Sequence, residues 1–315
     1  MARHGDAAGA VGARDWSDVL VQGEARSGIA LPAVIVGILA VSASAIFIRL
    51  ADAPALSVAF WRCALGVAVL APFALSQREK LPRGRPMWLL VLSGVMLGAH
   101  FGFWISSLSY TSVAASVVLV CIAPVFVALL AFLVLGERTS PLSVFGILIA
   151  IVGCVFIATD GSAGSSALLG NVLAVLGAIT VAAHLLIGRA SRTSGTGVLN
   201  YSVIAYSAAG LALLPAVLIS GAPLWGFSST TWFWLAVITI GPQILGHTVL
   251  NWALRYVEAT IISGSVLAEP VIAALLAWLI LSEKPGVATA VGGVVVLLGL
   301  TCLLRGNRKV EELPG

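Results

Sequence analysis

Residues Pro124-Val125-Phe126-Val127-Ala128-Leu129-Leu130-Ala131-Phe132-Leu133-Val134-Leu135-Gly136-Glu137 return 146 positions later as Pro270-Val271-Ile272-Ala273-Ala274-Leu275-Leu276-Ala277-Trp278-Leu279-Ile280-Leu281-Ser282-Glu283, identical at nine positions. Extending the ungapped alignment to residues 108–153 over 254–299 gives 14 identities in 46, with Tyr110/Tyr256 behind and Gly146/Gly292 and Gly153/Gly299 ahead. Each copy opens on a proline inside an apolar run and stops at a glutamate. Two membrane-length copies in one chain are the signature of a transporter built from repeats. The copies differ at one position of chemical weight: Ala123 in the first is Glu269 in the second.

Composition agrees. Of 315 residues, 60% are apolar and 10% charged, and the mean hydropathy is +1.08. A soluble domain carries roughly a quarter charged residues, so this chain cannot clothe a water-facing surface. A helix crossing the hydrocarbon core needs about 20 apolar residues. Ten runs qualify, approximately 30–49, 55–75, 87–107, 112–135, 141–159, 168–188, 198–219, 230–253, 259–281 and 286–304. Barrel strands are about 10 residues long and alternate in polarity; these runs are apolar on every face. The expected fold is an all-α integral membrane protein with ten transmembrane helices. Five spans per copy, an odd number, makes the copies two inverted five-helix repeats.

Charge placement sets an orientation. With the N-terminus in the cytoplasm, 14 of 17 Lys and Arg fall inside and only Arg49 and Lys284 outside, Arg62 being within a span. Short basic loops stay cytoplasmic, so both termini are expected there, in a multi-pass protein of the inner or plasma membrane. The net charge of +4 is then a topology signal and requires no nucleic acid. The expected organisation is a disordered cytoplasmic tail over 1–27, a first repeat over 28–159, a second over 160–306 and a C-terminal tail over 307–315. The first tail has no apolar core followed by a cleavage-like site, so it does not read as a removable signal peptide.

Chemistry-bearing motifs are scarce. No phosphate-cradling Gly-x-x-x-x-Gly-Lys-Ser/Thr occurs, and Ser263-Gly264-Ser265-Val266 is not a nucleophile turn. Cys63, Cys121, Cys154 and Cys302 stand singly within spans, without the spacing of a metal site or disulfide framework. His100, His184 and His247 lie on three different spans. No metal, no cofactor and no enzymatic activity are expected; the partners expected are a small-molecule cargo and the bilayer.

Ionisable side chains at membrane depth usually face a cavity or a partner. Glu269 is the one mid-span carboxylate, placed before Pro270, which removes a backbone donor and frees a carbonyl nearby. It reads as a proton or ammonium contact, or as a structural group bonded to a neighbouring helix. Arg62, about 10 Å deep at 1.5 Å per residue, could neutralise Glu269, bind a cargo carboxylate, or snorkel outward. Gln243, His247 and Asn251 follow at i, i+4 steps and form one stripe, lining a wet cavity or a helix contact. His100 and Trp104 share a face of span three. Glu137 and Glu283, with Pro124 and Pro270, read as structural or hinge positions, the glutamates suiting the start of the next helix. The seven-residue spacing of Gly146/Gly153 and Gly292/Gly299 permits close packing of spans five and ten, within the chain or between two copies in a homodimer. Trp232 and Trp234 read as interfacial anchors.

At this point the chain resembles the EamA family of the drug/metabolite transporter superfamily. The likeness rests on Ile46-Phe47-Ile48-Arg49-Leu50-Ala51, Phe60-Trp61-Arg62, Pro124 through Gly136-Glu137-Arg138 and Gly188-Arg189. It rests most on Pro242-Gln243-x-x-Gly246-His247-Thr248-x-x-Asn251-Trp252-Ala253-Leu254-Arg255, followed by Glu269-Pro270 and Ser282-Glu283. Ser282 departs from the Gly136 of the first copy. The resemblance implies a secondary transporter, often an exporter of amino acids or related metabolites, with a cavity between the halves and alternating access. Spans one, three, four, six, eight and nine would enclose that cavity. The alternatives are an exporter of cationic drugs or amines, with Glu269 as counter-ion, and a nucleotide-sugar or metabolite exchanger, against which the scarcity of deep basic residues counts.

Overall fold

A computed structural model of the chain describes residues 29–77, 79, 81–111, 113–136, 138–158, 167–281 and 285–311. Glu137 and Glu283, the N-terminal tail, residues 312–315 and the 159–166 connection lie outside the described residues, while 307–311 of the expected C-terminal tail continue the last helix. Among the described residues the protein is helical, without strands, and nine of its helical segments are long and apolar enough to cross a membrane. A further apolar helix, Pro141–Ile157, is shorter. The protein is a multi-pass membrane protein.

In chain order, α1 is Ala30–Ser42 and α2 Ser44–Ala51, one span bent at Ala43. Helix α3 covers Ala55–Ser76 and α4 covers Arg85–Ser107. Helices α5 (Val113–Val120) and α6 (Ala123–Leu130) form one broken span, which widens into a π turn over Ala131–Leu135. Then come α7 (Pro141–Ala158), α8 (Ala167–Thr193) and α9 (Val198–Ser220). The next span is α10 (Ser229–Ile238), a π segment Thr239–Thr248 and α11 (Val249–Ala253). Another broken span is α12 (Ala259–Ser265), a 3-10 turn Val266–Ala268 and α13 (Glu269–Leu281); α14 is Val287–Glu311.

The ends follow local chemistry. Gly136 and Gly221 close their helices at φ 70° and 67°, left-handed values that a Cβ disfavours. Ser228 starts α10 by accepting the Thr231 amide at 3.1 Å. The repeat is visible in the boundaries: starts at Val113, Ala123 and Pro141 recur at Ala259, Glu269 and Val287, each 146 residues on.

Packing pairs α7 with α14, α4 with α8, α9 with α3 and α4, and α1 with the π segment and α11. The α7–α14 seam needs glycine. A Cβ on Gly146 would come within 2.5 Å of the Gly299 carbonyl oxygen, and one on Gly153 within 2.6 Å of that of Gly292. Gly146 therefore meets Gly299 while Gly153 meets Gly292, so α7 and α14 run antiparallel. The glycine faces that suggested contact between subunits meet inside one chain; the faces of α7 and α14 left outward carry Phe145, Leu148, Leu297 and Leu298. Large apolar side chains cover the outside, Ile219 being 87% and Leu279 77% exposed, which only a lipid surround makes favourable.

Trp232 and Trp234 do more than anchor at an interface. The Trp232 ring lies 4.9 Å from Trp61 and 6.2 Å from Trp225, and Trp234 stacks on Phe47 at 5.6 Å. Trp61 donates its indole N–H to the Leu224 carbonyl at 2.8 Å. Aromatic contact ties the loop after α9 to α3.

Candidate functional site

Where α5–α6 and α12–α13 break, their backbones diverge from straight helices at the same repeat position. Pro270 has no amide to continue α bonding, and the chain tightens to 3-10, the Glu269 amide reaching back to the Val266 carbonyl. Two thiols lean on the carbonyls of this turn: Cys121 on Val266 at 3.8 Å and Cys154 on Leu267 at 3.9 Å. In the sequence these cysteines stand singly within spans; in the structure they cover the polar backbone of the break.

Between the breaks lies a cavity of about 70 Å³. Its walls come from six spans: Val41 and Ser44 (α1, α2), His100 and Trp104 (α4), Cys121, Ala123 and Pro124 (α5–α6), Val181 and Leu185 (α8), His247 and Asn251 (π segment and α11), and Ile262, Ser263, Val266 and Glu269 (α12–α13). The wall is predominantly apolar. Glu269, 6% exposed, sits at the start of α13 and lines it. Among the described residues its carboxylate makes no ion pair or hydrogen bond. Uncompensated charge at this depth is expensive, and a carboxyl in such a place calls for a proton or a cation.

His100 and Trp104, one turn apart on α4, stack at 5.9 Å and 5°. His100 Nδ1 lies 2.9 Å from the Gly177 carbonyl on α8, which can only accept, so Nδ1 carries the hydrogen and Nε2 the lone pair. His247 stands edge-on to Phe101 at 5.1 Å and 6.5 Å from His100. Two buried donors lack partners here, Trp104 Nε1 and Asn251 Nδ2. The site thus combines a bare carboxyl, an imidazole acceptor and two N–H donors in an apolar shell. It suits a small molecule with both positive and negative ends.

Two of the expected contacts stand elsewhere. Arg62 does not snorkel: it is fully buried, its guanidinium 3.9 Å over the Phe101 ring, with Nε donating to Gln243 Oε1 at 2.8 Å and NH1 3.5 Å from the Ser44 hydroxyl. Cation–π contact and a charge-assisted hydrogen bond hold it inward. Gln243 is off the cavity wall. The expected i, i+4 stripe assumes an α-helix; in the π segment bonding runs i→i+5, and four-residue steps no longer keep one face. His247 and Asn251 remain on the wall, while Gln243 turns to Arg62. Ser44 and Ser263 also line the cavity; as single hydroxyls in apolar runs they carry no signal that separates wall from packing.

Comparison with known proteins shows the family and the fold. The sequence profile of the EamA-like transporter family matches residues 28–159 and 168–305. A transporter of unassigned cargo from Archaeoglobus fulgidus is 28% identical, over 82% of this chain and 91% of its own. A pseudopaline exporter of Pseudomonas aeruginosa is 26% identical, over 82% and 89%. A probable terminal-alkyne amino-acid exporter of Streptantibioticus cattleyicolor is 29% identical, over 62% and 67%. A solved crystal structure, 20% identical, superposes with a TM-score of 0.75 over 90% of this chain and 99% of its own, a likeness of fold.

Proposed function

The chain belongs to the EamA-like transporter family of the drug/metabolite transporter superfamily, and from that premise we propose that it is a secondary active exporter of amino acids or related small zwitterions, coupled to protons through Glu269. The observation that carries this reading is Glu269, a carboxyl in the cavity wall with no ion pair among the described residues. Such a group is neutralised either by a proton or by a cargo ammonium. Competition between the two at one oxygen pair is antiport: loading cargo expels the proton, and reprotonation releases cargo. The cargo carboxylate would take the Trp104 and Asn251 donors, drawn by the Arg62 charge behind Ser44. The exporter names of the Pseudomonas and Streptantibioticus relatives support the direction and the class.

Alternating access follows from the proposed topology of ten spans in two inverted five-helix repeats. Helices α7 and α14, equivalent under the 146-residue offset, run antiparallel. The pairing of α4 with α8 is matched by that of α10–α11 with α1, as a two-fold axis in the membrane plane requires. Helix α7, 18 residues long, spans about 27 Å at 1.5 Å per residue and serves as the tenth crossing. The distribution of basic residues supports a cytoplasmic position for both termini. A cavity of about 70 Å³ holds a few waters, so the halves must part to admit cargo, with Pro124 and Pro270 at the bends.

The test is transport by the purified protein in proteoliposomes, with tritiated alanine, threonine, leucine and phenylalanine, with and without a pH gradient. The proposal expects at least one to move and the gradient to drive its accumulation. No flux with any of them, beside flux of a lipophilic amine, would transfer the reading to cation export, which the apolar, aromatic wall around a single acid also favours.

A further inference from the structure

The central cavity is closed by unequal thicknesses of protein. Toward the end that carries Thr196 and Asn200, α8 runs about two turns beyond Leu185 of the cavity wall, to Thr193, before an open pocket begins. Toward the opposite end one turn suffices. Ser44 on the cavity wall is followed four residues later on α2 by Ile48, and Trp104 by Leu108 at the end of α4. Ile48 and Leu108 line a second pocket, open to the surface, of about 330 Å³. Four-residue steps keep one face of a helix, so cavity and pocket share the same faces of α2 and α4. Ile48 and Ile105, 7% and 1% exposed, form the floor between them.

The rim of this pocket carries both signs of charge. Arg49 stands in the last turn of α2 and Asp52 ends it, both exposed, and the Ser109 hydroxyl faces them from the α4 side. At i, i+3 on a regular helix an arginine and an aspartate pair. Here the chain turns left-handed at Asp52, φ 45°, the one positive φ outside glycine among the described residues. Neither side chain has an ion pair or hydrogen bond among the described residues. A non-glycine residue held in that conformation points to function. Arg49 is also one of only two Lys or Arg residues that the expected topology puts outside, where the bias runs against them. Two opposite charges left apart at the mouth of a pocket can each take one end of a dipolar ligand.

We propose that this pocket is a release subsite for the cargo zwitterion, Arg49 taking the carboxylate and Asp52 the ammonium as the molecule leaves the cavity past Ile48 and Ile105. The inference rests on the zwitterion-export reading above and adds an outer station to it. In that topology α1–α2 is the first crossing from a cytoplasmic N-terminus, so its far end, with the pocket, emerges outside. Exposed charges bind weakly, and a release site requires this, since a tight one would return the cargo. An Arg49 that served only its helix would need a positive charge near the C-terminal carbonyls and nothing from Asp52. A receptor needs both charges, free of each other, beside a pocket.

The experiment asks which end of the cargo each charge holds. Right-side-out vesicles from cells producing the protein, corrected by vesicles lacking it, carry out counterflow of the tritiated panel amino acid that moves fastest. The bath contains as competitor either the same amino acid unlabelled or its amide, which keeps the ammonium and lacks the carboxylate. In Arg49→Gln the proposal expects competition by the amino acid to weaken about fivefold, the scale of one exposed ion pair, and competition by the amide not to weaken. In Asp52→Asn both competitors weaken about fivefold. Asp52→Gly, at ease at a left-handed φ, stands in if Asp52→Asn does not fold. Inside-out vesicles, whose bath meets the other mouth, should show the smaller shifts. Unchanged competition in the folded variants overturns the subsite, as does equal weakening by amino acid and amide in Arg49→Gln, the mark of a structural role. Larger shifts in inside-out vesicles put the pocket on the cytoplasmic face and overturn release. A natural protein that moves none of the panel removes the zwitterion reading and this subsite with it, and its own trace shows that without any variant.

Discussion

The α5–α6 and α12–α13 spans are two copies of one broken helix, and they differ in what the break holds. Both start anew at the residue before a proline, at Ala123 and at Glu269, and both of those residues line the cavity. The backbone device is shared. The chemistry is not: the equivalents of Gln243, His247 and Asn251 in the first copy are Leu97, Phe101 and Ile105. Phe101 offers its ring face to Arg62 of its own copy and meets the His247 ring of the second at 5.1 Å. Repetition builds the cavity and its hinges, and divergence of the two copies supplies the polar wall, His100 and Trp104 from the first and His247, Asn251 and Glu269 from the second.

If that division is right, marks common to both copies are structural and should fail symmetrically. Gly299→Leu and Gly153→Leu insert side chains where even a Cβ meets backbone at 2.5 and 2.6 Å. Each is expected to destabilise the folded protein by about 3 kcal/mol, read as a lowered melting temperature in detergent. A large inequality between the two would break the two-fold reading of the α7–α14 seam. Marks found in one copy only should not be transferable. The double variant Ala123→Glu/Glu269→Ala moves the acid across the axis, away from His247 and Asn251. It should fold, yet transport the panel amino acids below about a tenth of the natural rate, since misplacing an oriented group by an ångström or so can lose two orders of magnitude. Recovery near the natural rate would mean that position in the wall counts for little. The smallest effect belongs to Cys154→Ala, which removes a weak thiol contact to the Leu267 carbonyl. It should lower stability by about 1 kcal/mol and leave the pH response of transport unchanged.

Much of this was legible in the sequence because a membrane simplifies the code. Runs apolar on all faces can only be spans, and a 146-residue echo with matched prolines exposes the repeat. Glu269 stood out because it is the one carboxyl at mid-span, and the helices that line the cavity are the six the sequence reading named. Side-chain direction was less legible. A depth of about 10 Å suits an Arg62 that snorkels as well as one that turns inward, and Phe101, whose ring decides the matter, lies on another span. The π winding that takes Gln243 off the wall depends on backbone bonding that a four-residue spacing cannot reveal. The glycine pairs announce a close contact without saying whether the partner lies in the same chain. Arg49 and Asp52 read as charges at the end of a span, and only the pocket they share with the end of α4 gives them meaning.

The account turns on Glu269, so the decisive measurement compares the natural protein with Glu269→Gln in proteoliposomes, following amino-acid accumulation with and without an imposed pH gradient. The account predicts gradient-driven accumulation by the natural protein and none by Glu269→Gln, whose amide can neither bind nor release the coupled proton. Accumulation by Glu269→Gln with its response to the gradient intact would contradict it, leaving Glu269 a structural residue and the coupling elsewhere.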